Sequence, residues 1–384
     1  MKCGAHALDL LLKDMSKLPW CADIIKRNLT VVKWVKNHHA TSAILLDKTK
    51  HRLINPCPTR FATNVLSCMR TMKVKSALKL FAADERVAAY QRSATVPIRT
   101  VGREVVGELK QGDALEGEFW FELEFFVEMM WPVYDLLRTV DGTVPCMSKF
   151  FNGMLKLPEK WDEVCKKQAA AANDLEGEGW KDESVLERRG EMKEMNEKRR
   201  KYVRAPMLSA AYALDPEYID RDVAEIDDGQ ILLDLHTMYE RLLINHGDDS
   251  AAAIQAAREE ADGGPVARAA NQYSLYKTRK WKGAPFLPYA QNMSPADWWK
   301  TYGRIGLPDL AKVALRTTSK IPASAGSERN WSLYGDVMGG RHGRMGPERA
   351  RKLVFVRANL RLQSKEFTKR LFIAWDPESV ESDG

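Results

Sequence analysis

Cys3 and His6 open the chain as Cys-x-x-His, and Ser327-Glu328-Arg329 stands near its other end. Between them, Thr59-Arg60-Phe61 places a guanidinium beside an aromatic ring. A guanidinium can fork onto a phosphate, and an aromatic face can stack on an unpaired base. A carboxylate such as Glu328 is a ligand for the hard divalent ions that phosphate chemistry uses. Cys3 and His6 suggest zinc, but a structural zinc takes four ligands. Cys21, His38 and His39 supply no second tight pair, so no zinc is expected. Plainer readings stand beside these. Cys3 can pack with His6 on a first helical turn, Arg60 and Phe61 can be a helix-start arginine and a core phenylalanine, and Ser327 can begin a helix.

The elements that must position these residues read mostly as helix. Leu8, Leu11, Leu12, Met15 and Leu18 share one face of a helix over 5–18, with Asp9 and Asp14 on the polar side. Pro19 interrupts, and a second helix from Asp23 to Asn37 buries Ile25, Leu29 and Val32. The two prolines of Asn55-Pro56-Cys57-Pro58-Thr59 make a turn, with a third helix starting near Thr59. Phe119 to Arg138 is apolar on one side, through Trp120, Leu123, Val127, Met130 and Trp131. Residues 157–202 carry dense mixed charge and read as a long exposed helix or a partly disordered insertion. Gly247 to Val266 reads as a flexible connection, and a last helix runs from Asp309 to Thr317. The tail after Trp375 is acidic and reads as frayed.

At 384 residues with 45% hydrophobic content, the chain is long enough for two or three structural units. No apolar run approaches a membrane span, the start lacks a secretory pattern, and six scattered cysteines point to a reducing compartment. The net charge of +7 is concentrated. Lys26 to Arg52 holds seven Lys or Arg against one acid, and Arg341 to Arg361 again seven against one. Two such segments suit a polyanion such as DNA, or are solvated helix faces. Lys198-Arg199-Arg200-Lys201 reads as a nuclear import signal or as another solvated face.

Cys3-Gly4-Ala5-His6-Ala7-Leu8-Asp9-Leu10-Leu11-Leu12-Lys13-Asp14 and Ala325-Gly326-Ser327-Glu328-Arg329-Asn330-Trp331-Ser332, followed by Arg351 to Leu362, resemble the two ends of a hAT-type transposase core. The match is to the plant-type form, with tryptophan in the C-terminal dimerisation segment. Asp135 to Asp141, Leu208 to Pro216, and Trp298-Trp299 before Tyr302-Gly303 resemble further family stretches. The resemblance therefore covers nearly the whole chain. It departs from the pattern at Phe61, where the family has tryptophan, and at Arg341-His342-Gly343-Arg344-Met345, where the family has an Arg-Asn-Arg-Leu run.

The resemblance implies a mainly α chain with a partial α/β unit, a truncated ribonuclease-H-like fold interrupted by a long all-helical insertion. Residues 1–60 would be a remnant of the catalytic domain, 61–285 the insertion, and 286–384 the return with the dimerisation segment. Glu328 would be the third carboxylate of an Asp-Asp-Glu triad whose aspartates precede Cys3. His6, Arg60 and Phe61 would position DNA. Ser327, Arg329, Trp331, Leu353, Val356 and Leu360 would serve dimerisation. The family's Mg²⁺ or Mn²⁺ would not be stably held by Glu328 alone, so a catalytically incomplete protein that dimerises and binds DNA is expected. The alternatives are the back half of an active transposase and a domesticated DNA-binding scaffold. Partners would be a second copy and DNA, with no membrane, and the location nuclear.

Overall fold

The computed structural model describes residues 2–57, 62–112, 118–142, 144–173, 182–220, 228–244, 264–323, 333–337 and 346–363. The protein is mainly α, and no strand forms among the described residues. The partial α/β unit is therefore not seen there. The chain divides into two compact units, a smaller one of 1–7, 136–156 and 198–324, and a larger one of 8–135, 157–197 and 325–384.

The larger unit begins in α1 (Gly4–Met15), whose Leu8, Leu11, Leu12 and Met15 are buried as their spacing requires. Asp9 is also buried, although its charge placed it on the polar side. Its carboxylate survives there because Lys13 Nζ lies 2.7 Å from Oδ2 and the Ala62 N–H donates to Oδ1 at 3.3 Å. The break expected at Pro19 falls at 16–18, and Pro19 itself starts α2 (Pro19–Asn37), four residues before the expected Asp23. A proline in the first turn loses only an N–H that has no intrahelical partner. Ile25 and Val32 are buried, and Leu29 is half-buried.

Helix α3 (His39–Leu46) was not anticipated. It is short, and its apolar residues Ile44 and Leu45 fall at its end. Five helices follow, α4 (Thr63–Lys73), α5 (Lys75–Ala83), α6 (Glu85–Ser93), α7 (Val96–Lys110) and α8 (Phe119–Val140). Helix α2 packs on α3, α4 and α7. Its Asn28 is buried and donates to Ser67 Oγ, which donates to the Ile54 carbonyl. Two indoles find carbonyls, Trp34 with Ile98 at 3.2 Å and Trp120 with Leu109 at 3.1 Å, whereas the buried indole nitrogen of Trp20 has none. This matters because an unpartnered indole N–H in a core costs about 1–3 kcal/mol.

The charged stretch 157–202 contributes α9 (Met147–Asn173) and α10 (Asp182–Val203). Within the larger unit α10 is packed, not exposed. Val185 and Met192 are buried, and Arg188 reaches Glu122 at 3.0 Å while Lys193 reaches Asp162 at 2.8 Å. Trp161 is fully buried and donates to the Met129 carbonyl.

The smaller unit is built on α11 (Pro206–Ala213), α12 (Asp228–Tyr239), α13 (Gly264–Lys277) and α14 (Pro308–Thr318). Its core surrounds Trp298, Trp299, Tyr276, Leu214, Leu235 and Leu310. Trp299 donates to the Leu214 carbonyl at 2.5 Å, and a Cβ on Gly303 would lie 2.2 Å from its ring, so only glycine fits there. Gln272 Oε1 accepts from the Asp309 and Leu310 amides at 3.0 and 2.9 Å, satisfying the first turn of α14. The last helix, α15 (Pro347–Gln363), belongs to the larger unit. The connection read at 247–266 falls mostly outside the described residues, as does the tail after Trp375.

Candidate functional site

The Cys3–His6 segment enters the smaller unit through Gly4. The Gly4 N–H donates to the Pro322 carbonyl at 2.6 Å. This satisfies one of the amides that a helix start leaves without an internal partner. A Cβ on Gly4 would lie 3.0 Å from Phe150 Cζ and 3.0 Å from that same oxygen, so the absence of a side chain is what permits the approach. Close by in the chain, the Cys146 N–H donates to the Lys320 carbonyl at 3.3 Å. The 320–322 strip is thus held from two sides, by the start of α1 and by the segment leading into α9. Six residues beyond Pro322 stands Glu328, which lies outside the described residues with Ser327, Arg329 and Trp331. His6 is solvent-exposed and Cys3 is half-buried.

In the larger unit, Arg60 and Phe61 lie outside the described residues, but the next residue, Ala62, is held firmly. It adopts a left-handed conformation, φ 52° and ψ 28°, at the start of α4. That conformation costs an L-residue about 1–2 kcal/mol, and the hydrogen bond to buried Asp9 offsets it. Asp9 was assigned to a solvated face. The signal is its i,i+4 spacing from Lys13, whose ammonium reaches the buried carboxylate from the solvent-exposed side of the helix.

Among the described residues no three His, Cys, Asp or Glu side chains converge as a metal site. The carboxylates of α1 face different partners, Asp9 with Lys13 and the Ala62 amide, and Asp14 with Lys17 at 2.9 Å. Four thiols are poor nucleophiles. Burial pushes Cys21 and Cys68 well above the usual thiol range, and Cys146 and Cys165 to about 11.

The basic segment 26–52 is only partly a free cationic face. Arg27 forms a two-toothed pair with Glu108, at 2.9 and 2.7 Å, and Lys48 meets Asp84 at 2.8 Å. Lys26, Lys33 and Lys36 remain exposed along α2. At Lys198–Lys201, Tyr202 is exposed and Lys2 lies 3.6 Å over its ring.

Of the residues expected to serve dimerisation, α15 carries three. Leu353 turns inward, packing with Ala350 and Val354 against Leu333 and Val337. Val356 and Leu360 are 50% and 59% exposed, and Phe355 beside them is 69% exposed. One apolar edge of this helix therefore has its own core, and another faces solvent.

A small pocket of about 190 Å³ in the smaller unit is walled by Tyr212, Tyr218 and Tyr273, with Lys277 donating to the Ile219 carbonyl at 2.9 Å. A third cationic stretch, 277–306, was also missed in the sequence. It holds six Lys or Arg against one acid and would have been found by the same charge count. No helix among the described residues is long and apolar enough to cross a membrane. The chain matches no model of a known protein family, and no curated protein matches it.

Proposed function

We propose that this chain is a hAT transposase-like protein that works by associating with itself and with DNA. The observation that carries the reading is the Gly4–Pro322 hydrogen bond, at a position where a Cβ would press on Phe150 and the Pro322 carbonyl. In the family, the Cys-x-x-His helix and the glutamate segment belong to one split ribonuclease-H-like domain. The Gly4 contact reaches Pro322, three residues before the stretch that resembles the glutamate segment, and is compatible with that arrangement. On this reading, 1–60 and 286–384 are the partial α/β unit, Glu328 is its carboxylate, and His6, Arg60 and Phe61 face DNA.

On this reading the carboxylates of α1 take no part in cleavage. Asp9 and Asp14 are each engaged by a lysine, which leaves them with structural roles. The exposed Phe355, Val356 and Leu360 favour pairing of two copies through α15. A nuclear location accompanies this reading, with Lys198-Arg199-Arg200-Lys201 as the import signal.

The test is duplex binding by the full chain, followed by fluorescence anisotropy between about 50 and 200 mM salt, together with a nicking assay in Mg²⁺ and Mn²⁺. Binding that weakens steeply with salt, without nicking, is the expected result. Absence of duplex binding overturns the DNA role. Metal-dependent nicking that Glu328→Ala abolishes would overturn the associative reading and make the chain part of an active transposase.

A further inference from the structure

Three aromatic rings, not periodic in sequence, come together on the surface of the smaller unit. Phe286 and Tyr302 stack with centroids 4.8 Å apart and planes 16° from parallel. Tyr289 lies 5.8 Å from Tyr302 and 6.3 Å from Phe286, at 32° and 27°. The stack is not sealed, since Tyr289 is 54% exposed and the other two rings are half-buried. Tyr289 thus stands out into water beside the Phe286–Tyr302 pair, tilted by 27° and 32° from them.

The backbone beneath is tied by hydrogen bonds and close packing. Fully buried Trp298 donates to the Phe286 carbonyl at 3.0 Å, and the Arg304 N–H donates to the Trp299 carbonyl at 3.3 Å. A Cβ on Gly283 would lie 3.0 Å from the Tyr302 carbonyl oxygen and 2.6 Å from the Trp281 indole nitrogen. Helix α13 ends with Arg279 left-handed at φ 57°, and the Lys280 N–H reaches back to the Leu275 carbonyl while that of Arg279 reaches Tyr276. This is the Schellman ending, built on arginine where glycine is usual. A surface fixed in this way loses little entropy when a ligand docks.

The stretch 277–306 is mostly cationic, while the turn 216–218 that packs against 284–292 brings one exposed acid, Glu217. Lys300 and Arg304 flank Tyr302 in the chain, and the Lys282 amide would lie 3.8 Å from a Cβ on Gly306. All three cations are exposed, and none meets a carboxylate among the described residues. The stretch's single acid, Asp297, accepts from Ser294 at the start of its own short helix.

We infer that Phe286, Tyr289 and Tyr302 form a stacking platform for single-stranded nucleic acid, with Lys282, Lys300 and Arg304 holding the phosphates. Every base has a π-face, so such a platform tolerates any sequence. In a duplex those faces are already stacked on one another, so the cations would act there but the rings would not. That asymmetry selects single strands over duplex. The proposal does not rest on the family reading and would stand if that reading fell.

The test uses the full chain and a labelled oligothymidine of about fifteen nucleotides, within the site sizes of such binders. Tyr289→Ala should weaken binding by roughly five- to a hundredfold, with the thermal transition unchanged, and Tyr289→Phe should restore it. Lys300→Gln with Arg304→Gln should flatten the salt dependence by about 0.7 in log–log slope for each phosphate that is no longer neutralised. No binding to oligothymidine, or equal binding by wild type and Tyr289→Ala, overturns the platform. Binding to duplex alone also overturns it, while leaving the duplex test of the previous section intact.

Discussion

Replacing Gly4 by alanine sets two effects of opposite sign against each other, and the structure decides between them. Alanine in place of glycine favours a helix by up to about 1 kcal/mol. The new methyl would stand 3.0 Å from Phe150 Cζ and 3.0 Å from the Pro322 oxygen, where relaxed carbon contacts are about 3.5–4.0 Å. Phe150 is 1% exposed and has nowhere to retreat. Overpacking of this kind costs about 1–3 kcal/mol, and loosening the 2.6 Å bond from Gly4 to Pro322 forfeits about 0.5–1.5 kcal/mol more. The net expectation is a loss of about 1–3 kcal/mol. For a unit of this size that lowers the thermal midpoint by roughly 2–4 °C per kcal/mol. Gly107→Ala is the control, because it lies in α7 with nothing within 4 Å of its Cβ. It should gain about 0.5–1 kcal/mol. Scanning calorimetry on both variants reads the comparison. A Gly4→Ala midpoint equal to or above wild type would refute the close approach of α1 to the 320–322 strip.

Asp9→Ala strips the Ala62 N–H of its buried acceptor and should cost about 1–3 kcal/mol in urea unfolding. Asp9→Asn keeps an acceptor and should cost less, and equal losses would contradict the hydrogen-bond role. Asp215 is buried, with its carboxyl pushed up to about 6 by burial against the opposing pull of Ser148 and the Glu217 amide. Its folded value lies above the ordinary one, so stability is full below about pH 4 and declines as pH rises through about 6, by about 3 kcal/mol in all. Asp215→Asn removes this decline, so its midpoint should gain on wild type steadily between those pH values, and parallel pH curves would refute the assignment.

Regular periodicity was the part of the fold most readable in advance. Leu8, Leu11, Leu12 and Met15, the apolar side of Phe119 to Val140, and the helix ending near Thr317 all recur at helical spacing and are buried as expected. What escaped depends on partners that are remote in sequence. Asp9 carries a charge, and only Lys13 and the Ala62 amide make its burial tolerable. Helix α10 has almost no apolar stripe, yet Arg188 and Lys193 meet Glu122 and Asp162 from other helices. The Phe286, Tyr289 and Tyr302 rings lie among prolines and short turns, where no period brings them together. At the candidate site the sequence offers resemblance alone, and the geometry beside it is one hydrogen bond from Gly4 to Pro322. Arg60, Phe61 and Glu328 lie outside the described residues.

Self-association through α15 is the central claim, and sedimentation equilibrium of the full chain tests it most directly. The exposed Phe355, Val356 and Leu360 predict a species of twice 43.6 kDa. Val356→Glu with Leu360→Glu should return it to 43.6 kDa without loss of helix content. Wild-type protein that remains at 43.6 kDa up to about 0.1 mM, a concentration at which micromolar pairs are largely formed, would contradict the account.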